Sequence, residues 1–311
     1  MNEAIKKVEE LFFRKFSQGI RSGDVPLVFI LASPRTGSTL IYQLLINFFS
    51  FFYFSNFVND LFSETPVVGA ALDLSVYQSR SVSYKSAYGK TPGPHGPSEA
   101  SFVFRNWFGG DHPSQTRSCK VNAGKKQHFV LTMKSIHKMT GLPILAKNAW
   151  NCFRIQELTR LFPRIHFLWV RRDIRASAIS DLEARYRRGG PYVWNSATTA
   201  NYQEIQKKPY WEQVVEQQYE YNRSIAIDLD RFCRAQYLEL WYEDVCDYPE
   251  RELERLDQYF SFHSLPMELR RKRILKLTRS EGPNDLGQDY NKIANYVECH
   301  HERLNKYLYK E

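Results

Sequence analysis

The stretch VPLVFILASPRTGSTLIYQLL, residues 25–45, runs from an unbroken apolar segment through a short polar loop into a second apolar segment with helical spacing. The all-apolar run Leu27 to Ala32 predicts a strand buried on both faces, as in a parallel sheet covered by helices. The loop Ser33-Pro34-Arg35-Thr36-Gly37-Ser38-Thr39 then opens a helix. That order suits an anion, because backbone N–H groups and the positive end of a helix dipole converge on one point. Against the phosphate-loop pattern GxxxxGK[ST], Ala32 stands at the first glycine, Gly37 at the second, Ser38 where the lysine belongs and Thr39 at the final hydroxyl. The missing lysine is the one that serves the β- and γ-phosphates of a nucleoside triphosphate. With hydroxyls at Ser38 and Thr39 and a cation moved back to Arg35, the loop is built for a shorter anion. The competing reading is an ordinary strand-turn-helix in which Gly37 only permits close packing.

Working outward, Ile144 to Ala146, His166 to Val170 and Tyr237 to Trp241 are further strand candidates, and they alternate with helical patterns. This rhythm predicts an α/β fold: a P-loop-type three-layer sandwich with a central, mostly parallel sheet flanked by helices. Helices are expected near the N-terminus (MNEAIKKVEELFFRKF), over Trp211–Arg234, from Pro249 to Phe260 and over Met267–Leu277. The segment 78–127 is rich in Ser, Gly and Pro and is expected to form variable substrate-facing loops or a lid within one domain spanning 1–311. Its aromatics Phe102, Phe104, Trp107 and Phe108 look too few for a core of their own.

Lys and Arg number 43 against 34 Asp and Glu, a balance that favours anionic ligands without choosing among nucleotides, nucleic acid and acidic glycans. The basic run Arg270 to Arg273 lacks interleaved aromatics and reads as a solvated face, so no nucleic acid is expected. Cys119, Cys152, Cys233, Cys246 and Cys299 form no CxxC pair, which argues against a disulfide framework or zinc site and fits a reducing cytoplasm. His300 and His301 read as a solvated pair on a polar helix, and the apolar stretch Leu40–Val58 is too interrupted by polar residues to span a membrane.

SPRTGST, residues 33–39, resembles the 5′-phosphosulfate loop of the sulfotransferases, whose members carry Lys or Arg at the position of Arg35. A second likeness lies in FLWVRRDIRASAIS, residues 167–180. The resemblance implies that Arg172, at a strand end, and Ser180, eight residues later on the next helix, hold a 3′-phosphate, with Arg171 or Arg175 able to share the work. Three cations at a helix N-terminus oppose the dipole, which an anion between them would relieve. LAKNAWNCFRIQELTRLFPRIHFLWVRRD, residues 145–173, is similar to the tyrosylprotein and related sulfotransferases and places Lys147 on the family's catalytic lysine. LELWYEDVCDYPERELERL, residues 238–256, likewise places Tyr242 near the nucleotide.

The resemblance thus implies transfer of a sulfuryl group from 3′-phosphoadenosine 5′-phosphosulfate (PAPS) to an acceptor hydroxyl by in-line displacement, without a metal. Arg35, Thr36, Gly37, Ser38, Thr39, Arg172, Ser180 and Tyr242 are the expected cofactor contacts. Arg35 and Lys147 are the cations expected to meet charge on the leaving oxygen. The general base is less legible. The tyrosylprotein branch carries a Glu about twenty residues after the first loop, where this chain has Asn56. Asp60 and Glu64 lie nearby, but Glu99 and His95, in a loop poorly suited to core packing, are the preferred candidates, and either can equally be a plain loop residue. Arg279 is a candidate for closing over the nucleotide. The acceptor is open among hydroxyl-bearing small molecules, glycans, lipids and peptides, with Tyr84, Tyr88, Phe102, Phe104 and Trp107 as aromatics that can line its pocket or simply pack locally. A P-loop kinase acting on a small molecule and a non-catalytic nucleotide or polyanion binder are the alternatives.

Overall fold

The computed structural model describes residues 3–77, 82–87, 89–110, 121–267, 269–270, 277–279 and 287–308. These residues form a five-stranded sheet of β1 (Leu27–Ala32), β2 (Phe52–Tyr53), β3 (Ile144–Lys147), β4 (Ile165–Arg171) and β5 (Tyr237–Trp241). Its order is β2-β3-β1-β4-β5 and every pairing is parallel. The four expected strands are present. The fifth, β2, is two residues long within an aromatic run and has no pattern to announce it. Leu27 of β1 aligns with Ile144 of β3 and with Ile165 of β4, so the central strands start level and finish along one rim.

The helices, in chain order, are α1 (Glu3–Phe16), α2 (Ser38–Phe48), α3 (Asn56–Leu61), α4 (Pro66–Tyr77), α5 (Ser101–Phe108), α6 (Ala123–Thr140) and α7 (Ile155–Leu161). They continue with α8 (Ile174–Arg187), α9 (Tyr202–Ile205), α10 (Tyr210–Phe232), α11 (Tyr242–Asp247), α12 (Pro249–Phe262), α13 (Gly287–Cys299) and α14 (His301–Leu308). The alternation of strand side chains divides them into two layers. Leu27, Phe29 and Leu31 of β1 enter a core with Phe104 of α5, Phe129 of α6, Leu158 of α7 and Ile225 of α10. Val28, Ile30 and Ala32 enter the opposite one with Ile41, Leu44 and Leu45 of α2 and Leu253, Leu256 and Phe260 of α12. This is the three-layer sandwich expected of an all-apolar central strand; each large side chain so buried contributes roughly 1.5–3 kcal/mol. A third cluster joins α8, α10 and α13.

Two expectations need correction. The aromatics of the 78–127 segment do contribute to the core: Phe104, Trp107 and Phe108 fall at i, i+3, i+4 of α5 and are buried against Phe129, while Phe102 on the other face is half exposed. The helix expected over Met267–Leu277 is absent where residues are described, since Leu269 bridges Phe49 and the Arg270 N–H donates to the Phe48 carbonyl at 2.7 Å. Residues 271–276, with most of the basic run, and Tyr88 lie outside the described residues. Among the described residues no helix is long and apolar enough to cross a membrane.

Candidate active site

The carboxyl ends of β1, β3, β4 and β5 all contribute to one cavity of about 440 Å³, at the sheet rim where ligands of open parallel sheets bind. β1 delivers the loop Ser33–Gly37, which is folded tightly. Arg35 takes a left-handed backbone (φ 66°), uncommon for a side chain larger than glycine, and Gly37 follows at φ 79° as the N-cap of α2. Gly37 has a second reason to be glycine: a Cβ there would stand 2.1 Å from the Tyr242 ring. The Thr36 hydroxyl turns inward to the Ser33 carbonyl at 3.0 Å, so its side chain braces the loop and does not line the cavity.

Arg35, Ser38, Thr39, Arg172, Ser180 and Tyr242 line the same cavity. The two anchors are in direct contact. The Arg35 guanidinium donates from Nε to the Ser180 hydroxyl at 3.1 Å, and Arg172 donates to the Arg35 carbonyl at 2.9 Å. The Arg172 guanidinium also lies 4.6 Å from the centre of the Tyr242 ring, a cation–π stack. Burial pushes the Arg172 guanidinium below its usual range; Tyr242 and Glu243 oppose that shift, and the neighbouring Arg35 charge adds to it. Two like charges held this close at a buried rim suit an anion with two negative groups.

Lys147, at the end of β3, is 6% exposed, which rules out a surface lysine. Its ammonium donates to the Thr39 hydroxyl at 3.0 Å and to the Glu99 carboxylate at 2.5 Å. Asn148 holds the Glu99 carbonyl at 3.0 Å, so the loop before α5 is tied to the end of β3. Glu99 therefore belongs to the cavity, alongside the cation that pairs with it.

The other proposed bases are placed elsewhere. His95 pairs through Nδ1 with the buried Asp73 carboxylate of α4 and lines a separate cavity of about 170 Å³ among Pro92, Pro94 and Pro97. Glu64 pairs with Lys6 at 3.1 Å and lines neither cavity. Asn56 spends its amide on the Thr91 and Gly93 carbonyls at 3.0 and 2.8 Å, a loop-bracing role. Asp60 lines a third cavity, of about 530 Å³, which shares Gly89, Glu99 and Arg188 with the first. Arg171 is drawn off to Glu239 at 2.8 Å between Trp169 and Trp241, and Arg175 to Glu298 at 3.1 Å, so neither lines the cavity. Arg279 is paired with Asp247 and is likewise outside it.

Sequence reasoning missed several supports. Gln218 of α10 donates to the Pro34 carbonyl at 2.9 Å and Asn222 to the Ser33 hydroxyl at 3.4 Å, clamping the loop from behind. The buried Cys152 thiol receives the Ala32 N–H at 3.3 Å, and burial pushes it up to about 12, away from reactivity. Asn195, Ser196 and Arg188 complete the rim. Beneath them the buried Asp181–Arg185 pair, 3.1 Å, is satisfied by Asn195, Gln213 and Gln217.

Comparison with protein families matches residues 26–263 to the sulfotransferase family. The chain belongs to that family. The match contains β1 to β5 and every residue lining the cavity, and it sets aside the kinase alternative. Two solved sulfotransferases share the fold with this sulfotransferase. STF1 from Mycobacterium tuberculosis superposes with a TM-score of 0.53 at 11% identity, over 96% of this chain and 81% of that one. STF9 from Mycobacterium avium gives 0.51 at 12% identity, over 97% and 77%. A comparison with curated protein sequences found no match.

Proposed function

We propose that this sulfotransferase carries the sulfuryl group of PAPS to an acceptor hydroxyl, with Arg35, Lys147 and Glu99 at the reacting centre. The observation that carries this is the convergence of Arg35, Gly37, Ser38, Thr39, Lys147, Glu99, Arg172 and Ser180 on one cavity, although they come from well-separated parts of the sequence. The residues fit the donor: Arg172 and Ser180 would hold its 3′-phosphate, and the Gly37–Thr39 turn with its hydroxyls the 5′-phosphate. Tyr242, stacked on Arg172 and pressed on Gly37, walls the site between the two.

Bound PAPS supplies the sulfuryl group and leaves as adenosine 3′,5′-bisphosphate. Glu99 accepts the proton of the acceptor hydroxyl as its oxygen bonds to sulfur. The Lys147 ammonium and Arg35 guanidinium stabilise the negative charge that grows on the bridging oxygen as the sulfur–oxygen bond breaks. With the donor bound, Lys147 would turn from Glu99 toward the leaving group, leaving the carboxylate to act as base. We also infer that residues 1–311 form a single domain with the 78–127 segment part of it, a reading supported by the place of Phe104 and Trp107 in the main core. The buried free thiols of Cys152, Cys233 and Cys246 support a reducing compartment such as the cytoplasm.

Thermal-shift titration tests the donor assignment. Adenosine 3′,5′-bisphosphate raises the melting temperature more than ATP does at equal concentration, because stabilisation follows occupancy of the folded state. A preference for ATP would overturn the assignment.

A further inference from the structure

We infer that the cavity carrying Asp60 and Phe102 is the acceptor site, and that it takes a neutral, polyhydroxylated acceptor of the sugar class. The inference rests on the donor reading above and extends it to the other substrate.

The two cavities meet at Gly89, Glu99 and Arg188, the residues that line both. A hydroxyl entering from the Asp60 side therefore arrives at the proposed base, opposite the loop that would hold the donor. Gly89, at φ 87°, keeps this junction open: a Cβ there would stand 2.9 Å from the Glu99 carboxylate.

The acceptor side is chemically distinctive. Asn59 donates to the Asp60 carboxylate at 2.7 Å and accepts the Phe102 N–H at 2.9 Å, so one amide fixes a carboxylate and the start of an aromatic helix as a single wall. Among the described residues no cation pairs with Asp60, so its carboxylate can accept hydrogen bonds from vicinal hydroxyls. Phe102 is 50% exposed and offers a flat apolar face of the kind that packs on the C–H side of a ring. Lys90, Ser98 and Ser101 add further polar groups.

Among the described residues Phe102 is the one aromatic that lines this cavity, whose other lining residues are mostly polar, while Phe104, Trp107 and Phe108 of the same helix are turned into the core; that lining suits a hydroxylated ring better than a phenol or a lipid chain. The charged groups are mixed, Asp60 and Glu99 against Lys90 and Arg188, and so favour a neutral acceptor over an ionic one.

The test measures sulfate transfer from labelled PAPS to neutral methyl glycosides and disaccharides, 4-nitrophenol and 1-decanol, with bisphosphate affinity measured separately by calorimetry. Expected is transfer to glycosides, with Asp60→Asn and Phe102→Ala each raising KM for the best glycoside by about tenfold or more while bisphosphate affinity stays at the parent value. Unchanged bisphosphate affinity also certifies that each variant is folded. Transfer confined to the phenol or the alkyl alcohol overturns the inference, as does a glycoside KM indifferent to both substitutions, or no glycoside product although the bisphosphate binds. Those results leave the donor reading standing. Failure of the bisphosphate to bind the parent protein removes both.

Discussion

The Lys147 ammonium and the Glu99 carboxylate lie 2.5 Å apart at the mouth of the cavity, joining the end of β3 to the loop before α5. The side chains are 7% exposed for Lys147 and 33% for Glu99, so the carboxylate is the more accessible half of the pair. In the proposed reaction this contact would hold the base and the charge-stabilising cation together, each neutralising the other until both are needed.

The pair gives the first prediction. Glu99→Gln keeps the shape and removes the proposed proton acceptor, and is expected to lower kcat by about 10²–10⁴ while bisphosphate affinity stays near that of the parent. Steady-state kinetics beside calorimetry reads both quantities. Retained turnover would place the base elsewhere, and absence of turnover in the parent protein with any acceptor would favour a non-catalytic binder.

A methyl group at position 37 should disable the donor loop. Gly37→Ala introduces a Cβ 2.1 Å from the Tyr242 ring and requires alanine at φ 79°, a backbone penalty of about 1–3 kcal/mol. Bisphosphate affinity should fall at least about tenfold, and Tyr242→Ala in the same chain should recover part of the loss, a coupling between neighbours that a double-mutant cycle measures. Simple additivity of the two changes would contradict the close packing.

Arg172→Lys separates charge from shape. Lysine keeps the cation but loses the fork that reaches the Arg35 carbonyl and the flat face stacked on Tyr242. A drop of about 10- to 100-fold in bisphosphate affinity, with a much smaller change in kcat, is expected. An equal affinity would mean that Arg172 acts as a point charge alone.

His166 should contribute a loss of stability on mild acidification. Burial, then the neighbouring His263 and Arg164, lowers this imidazole from 6.5 to about 4, so the native state refuses a proton that the unfolded chain accepts. The unfolded state thus binds more protons between these values, and stability is lost as pH falls from about 6.5 toward 4. Glu9, which burial raises to about 7, acts in the opposite sense over much of the same range, so the sign is read from the difference in urea midpoint between the parent and His166→Phe, with the variant expected to lose less stability on acidification.

The strand-loop-helix of residues 27–48 and the strand end at Arg172 were legible because each is contiguous, so its spacing carries the chemistry. Burial of Phe104, Trp107 and Phe108 was also written in the chain, as i, i+3, i+4 spacing, but the Gly- and Pro-rich surroundings obscured it. The base was a different problem. His95 and Glu99 share a loop and can each accept a proton, and what separates them is tertiary: Asp73 on α4 captures one, Lys147 on β3 the other. Arg171 and Arg175 show the same limit, since the carboxylates that draw them away, Glu239 and Glu298, lie on β5 and α13. Gln218 and Asn222 are invisible in sequence because a buried amide on a long helix declares no partner.

The cavity draws its wall from the ends of four strands, the last of which begins only at Tyr237. A fragment that ends before β5 therefore cannot complete it, and a partly folded chain lacks part of the wall that the proposed nucleotide would need. Occupancy accordingly reports completion of the whole sheet: a bound bisphosphate should slow amide exchange in β1, β3, β4 and β5 together, as one cooperative unit.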